Sequence, residues 1–166
     1  MGEAKTGQGF IKHEFDEAIA IQQCIVDAES SLSTAHPVPS AKKAIKSALA
    51  ADEKYLRTLK TLGKGHDATG KVEDVAGGLT ELMNETLETA MTEGNDSDFY
   101  EAHAVLLNLK RKQWDSAGGM LAIARDQKDT TLRDAAKDFQ AGQKETSTAL
   151  TKELAAYAVK IAGQAA

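Results

Sequence analysis

Apolar residues return every three or four positions along five stretches of this chain, and nowhere do apolar and polar residues alternate as in a half-buried strand. That single periodicity admits helices and little else. The breakers between the stretches place them. The first helix is predicted from Phe10 to Thr34, because Pro37 and Pro39 forbid its continuation. The second runs from Ser40, a serine suited to cap it, to Leu62 and stops at GKGHDATG. The third covers Lys71 to Thr92, the fourth runs from after Ser97 to Gln127, and the fifth follows KDTT and reaches Ala162. Long helices joined by short loops predict an all-α fold, an antiparallel four- or five-helix bundle. It would form one domain over residues 1–166, frayed at 1–9 and 163–166.

The net charge of −5 argues against general nucleic-acid binding, which needs a basic surface. No window holds the run of apolar residues that a membrane span requires, and the N-terminus lacks an apolar signal core. The one cysteine, Cys24, cannot form an internal disulfide, so a reducing, cytoplasmic setting is expected. Cys24 reads as a small core residue, since no base neighbours it.

The seams themselves carry the functional information. Helix 1 reads Ile11, Phe15, Ala18, Gln22, Ile25, Glu29, Leu32, and helix 2 reads Ala41, Ile45, Ala48, Asp52, Tyr55, Leu59, Leu62. Helix 4 reads Phe99, His103, Leu106, Lys110, Gln113, Ala117, Leu121, Ala124. Helix 5 reads Leu132, Phe139, Gln143, Thr146, Leu150, Leu154, Tyr157, Ile161. The third seam is cleaner: Val72, Val75, Leu79, Leu82, Met83, Thr86, Leu87. Gln22, Asp52, Lys110, Gln113, Gln143 and Thr146 thus interrupt four seams near mid-helix, and Glu29 interrupts the first seam again. Midpoints meet at one level in an antiparallel bundle, which predicts a buried polar layer. Lys110 would need Asp52 or Glu29 as its partner there, because an unpaired buried charge costs several kcal/mol. The competing expectation is that the seams drift and these long side chains snorkel to the surface.

The order of DAESSL, AADEKYLRTLKTLG, VEDVAGGLTEL, KQWDSAGGML and a closing amphipathic helix resembles the YciF-type ferritin-like stress-protein family over roughly Phe15 to Ala158. The resemblance implies a ferritin-like bundle, a stress-associated role, a homodimer or larger homo-oligomer, and a di-iron centre at mid-height. It also shows what is missing. Where the family carries a Glu-His-Tyr-Glu run, this chain has Lys112, Gln113, Trp114 and Asp115. The family's paired glutamates of the closing helix are replaced by Gly142 and Gln143. Glu29, Asp52, Asp74 and Asp115 remain as weak metal candidates, and helical phase turns Asp74 and Asp115 away from their seams. No Glu-x-x-His occurs, and His13, His36, His66 and His103 lie outside ligand spacing. The expectation is therefore a non-catalytic bundle with no cofactor. An iron-dependent oxidase or ferroxidase using the residual carboxylates is the alternative. A third reading is a module that recruits an unidentified protein partner through helices 3 and 4.

Paired glycines, Gly77–Gly78 and Gly118–Gly119, interrupt helices 3 and 4. Each costs about 1 kcal/mol against alanine, so close backbone packing is expected there, with space for a ligand as the other reading. Trp114 is expected to pack between helices or in a dimer interface.

Overall fold

A computed structural model describes residues 5–72 and 75–165. Among these, all regular structure is helical: α1 (Gly7–Ala35), α2 (Pro39–Gly63), a 3-10 turn (Lys64–His66), α3 (Val75–Glu93), α4 (Asp96–Asp126) and α5 (Thr130–Ala162). The predicted order holds, with shifted ends. Helix α1 begins three residues before Phe10, and α4 takes in Asp96 and Asp98, whose charges suit a helix N-terminus. Pro39 opens α2, where its missing N–H costs nothing, and Val38 is the capping residue. Ser40 therefore caps nothing; its hydroxyl donates to Glu153 Oε2 at 2.7 Å, tying α2 to α5. Asp129 caps α5 by accepting the Leu132 N–H at 3.0 Å.

Helix α1 packs against α2 and α4, and α5 packs against the same two helices, so these four surround a common interior. Helix α3 lies against α1 and α4. Among the described side chains it sends a narrow stripe inward, Ala76, Met83 and Ala90, with Leu79 and Leu87 half-buried. Leu82, placed on the seam by the sequence, is 47% exposed, because α3 has neighbours on one side only.

The connection after α2 is fastened by an acid on α1. Asp16 accepts the N–H groups of Thr69 at 2.6 Å and Gly70 at 2.9 Å, and pairs with Lys12. Burial alone would raise its carboxyl, yet these donors hold it below the usual carboxylate range. Gly70 sits at φ +81°, and a Cβ there would lie 2.8 Å from the Ile19 side chain, so only glycine fits.

The paired glycines do not serve close packing. A Cβ on Gly78 or Gly119 would meet nothing within 4 Å, and one on Gly118 would touch only the end of Gln140 at 3.4 Å.

Candidate functional site

The apolar interior is in two parts. One gathers Ile25, Leu32, Ile45, Leu106 and Leu150, and the other Phe15, Tyr55, Leu59, Ala117 and Phe139. The seams of α1, α2, α4 and α5 run through both, and Gln22, Asp52, Lys110, Gln113 and Gln143 fall between them.

Lys110 of α4 is the centre of this layer. Its Nζ donates to Glu29 Oε1 on α1 at 2.9 Å and to Asp52 Oδ2 on α2 at 2.5 Å. All three side chains are at most 1% exposed. Such a pairing is maintained only if the charges stay matched, since burying one alone is far more costly than burying them together. Burial pulls the Lys110 ammonium down, but Glu29 and Asp52 outweigh it and hold the group above its ordinary range.

Glutamine amides extend the network to α5. Gln143 of α5 donates to Asp52 Oδ1 at 2.7 Å. Gln22 of α1 donates to the same oxygen at 2.9 Å and to the Asp52 backbone carbonyl at 3.1 Å. Gln113 of α4 donates to Gln22 Oε1 at 3.0 Å and to the Ala18 carbonyl at 2.9 Å. Snorkelling does not occur at these positions. Thr146 stands apart: it is half-buried and its hydroxyl donates to the Gly142 carbonyl of its own helix. Three residues past Gln143, it has rotated off the inward line.

Asp115 plays no part. Asp115 is exposed on α4 beside Arg111, 3.4 Å away, and Asp74 lies outside the described residues. The set around Lys110 does not fit a di-iron centre. Its two carboxylates close on an ammonium group rather than on an open position, and its other members are glutamine amides, not the imidazoles and further carboxylates that such a centre needs.

A second buried polar group lies seven residues along each helix, roughly 10 Å by helical rise. His36 follows Glu29 by seven and His103 precedes Lys110 by seven, so opposed helices bring them level. Both imidazoles are fully buried. The Val38 N–H donates to His36 Nδ1 at 3.1 Å, and His103 Nε2 donates to the Leu150 carbonyl at 3.0 Å. These partners fix both tautomers, leaving His36 Nε2 to donate to His103 Nδ1 at 3.3 Å. Burial first, and His103 second, push His36 down to about 4; burial also lowers His103. Tyr157, packed against His36, donates to Asp96 Oδ1 at 2.6 Å and closes this end. Sequence reading set both histidines outside ligand spacing and so did not pair them, although the seven-residue offset was visible.

Nearer the other end, His13, Glu14 and Glu17 bring possible ligand atoms within 4.8 Å of one another. Lysines already serve them: Lys5 Nζ lies 2.9 Å from His13 Nδ1, and Lys112 Nζ lies 3.2 Å from Glu17 Oε1.

Cys24 is buried, its thiol 3.8 Å from the Thr80 carbonyl and from Asn84 Oδ1. Burial, with Asp27 adding to it, pushes the thiol up to about 11, so it is no nucleophile at neutral pH. Trp114 is half-buried on α4, facing α5, where its carbonyl accepts from Gln140.

No helix among the described residues is long and apolar enough to cross a membrane. No protein-family model matches the chain, and no curated protein matches it.

Proposed function

We propose that this chain is a non-catalytic, ferritin-like helical bundle protein in which a salt-bridged polar layer stands in place of a di-iron centre. The observation that carries the reading is the position of Lys110. A side chain supplies a permanent positive charge between two acids, Glu29 and Asp52, where a metal-binding bundle would leave room for ions. An ammonium there repels an incoming cation and needs no loading. The amides of Gln22, Gln113 and Gln143 supply further donors to the same network. The resemblance over Phe15 to Ala158 adds a stress-associated role and assembly as a homodimer or larger homo-oligomer.

Exposure to ferrous iron in air tests this directly. The purified protein should retain no stoichiometric iron after desalting and consume no oxygen beyond the protein-free control. Stoichiometric iron with oxygen uptake would instead establish the oxidase reading, with Glu29 and Asp52 as its residual carboxylates.

A further inference from the structure

The charges of the buried layer do not balance as drawn. Lys110 contributes one positive charge, while Glu29 and Asp52 are two acids, and no other cation bonds to either of them among the described residues. An uncompensated charge in a water-free interior is costly enough that an ionisable group gives up its charge instead.

The donors show which acid does so. Asp52 receives Lys110 on Oδ2 and both Gln22 and Gln143 on Oδ1, so each of its oxygens is met by a donor. Glu29 receives Lys110 alone, and its Oε2 is buried without a donor. The two carboxyl groups also converge on the one Lys110 ammonium, 2.9 Å and 2.5 Å from it, which brings them side by side. Two carboxylates are both acceptors, so that contact becomes a bond only if one of them carries a proton.

Among the described residues the surroundings offer no rival. Helix α2 brings only Asp52 to Glu29, α4 brings Lys110 with Gln113 in the same network, and α5 brings Gln143. Helix α3 sends Ala76, Met83 and Ala90 inward, none of them titratable.

We propose that Glu29 is a proton-binding site, held as a neutral carboxylic acid at neutral pH and donating its O–H to Asp52. The layer is then Lys110 ammonium, Asp52 carboxylate and Glu29 acid, with no net charge. Burial, the largest influence on Glu29, drives its carboxyl upward; Asp52 adds to this, and the pull of Lys110 does not cancel it. The inference rests on the metal-free reading above, because a metal ion among these oxygens would take the place of the proton.

Three measurements on the full chain test it. Infrared spectra at neutral pH should show the carbonyl band of a protonated carboxylic acid, absent from Glu29→Gln. Unfolding wild-type protein in unbuffered solution at about pH 7.5, where the unfolded histidines are nearly neutral, should release close to one proton per chain, since free glutamate ionises well below that pH. This release needs no variant to fold. Metal analysis of the same sample separates the two layers of argument. A metal-free protein with neither band nor proton release overturns the Glu29 assignment and leaves the metal-free reading standing. Stoichiometric metal overturns both.

Discussion

Lys110 Nζ lies 2.5 Å from Asp52 Oδ2, joining the middle of α4 to the middle of α2 with both side chains at most 1% exposed. Everything else in the layer orders itself around that contact. Gln22 and Gln143 bind the other oxygen of Asp52, Gln113 binds Gln22, and Glu29 takes the remaining reach of Lys110.

The two histidines make stability fall in mild acid. His36 is held near 4 in the fold against its ordinary 6.5, so below 6.5 the unfolded chain binds a proton that the folded chain refuses. The stability that neutral His36 contributes should therefore be full above pH 6.5 and be lost as pH drops from 6.5 towards 4. Protonation would also set His36 Nδ1–H against the Val38 N–H, two donors facing each other. Glu29 works in the opposite sense, since a raised carboxyl favours the fold as pH falls, so comparison with a variant isolates the histidine. Denaturant midpoints of wild type and His36→Gln across this window should show the shallower slope in the variant. Equal slopes would mean that His36 is charged in the fold.

Gly119 is an exposed glycine inside α4 with open space where a Cβ would point. Gly119→Ala should stabilise the protein by about 1 kcal/mol, the difference in helix propensity. Urea unfolding reads it, and a loss of stability would restore the expectation of close packing at this glycine.

Gly70 presents the opposite case. Alanine there meets both the positive φ and the Ile19 side chain at 2.8 Å. Gly70→Ala should destabilise by about 1–3 kcal/mol and loosen the connection that Asp16 fastens. Hydrogen exchange at the Thr69 and Gly70 amides should accelerate more than exchange in α4.

Cys24 should resist thiol reagents while the chain is folded. Its thiol sits near 11 and is 7% exposed, so thiolate is scarce and access poor at neutral pH. Labelling should proceed at the rate of unfolding; rapid stoichiometric labelling of native protein would contradict the burial.

The seams of α1 and α4 could be read from the sequence residue by residue, because those helices contact three others and a full stripe must be apolar or paired. Lys110 with Asp52 or Glu29 followed from charge matching along those seams; the structure bonds it to both. Other features were less accessible. Helix α3 packs on only α1 and α4, so its apolar residues outnumber its buried ones and Leu82 could not be placed by periodicity. Thr146 shows that a position three residues along an inward line can already have left it. The His36–His103 contact depends on the register between two helices distant in sequence, which becomes evident only once Glu29 and Lys110 are known to meet.

A double-mutant cycle on Lys110 and Asp52, read by urea unfolding, tests the central claim most directly. Lys110→Met alone strands Asp52 as a buried charge and should cost about 3–5 kcal/mol. Lys110→Met with Asp52→Asn removes both charges together and should cost much less than the two single changes summed. Single variants near wild-type stability, with additive effects in the pair, would show that Lys110 is solvated and that no salt-bridged layer organises this protein.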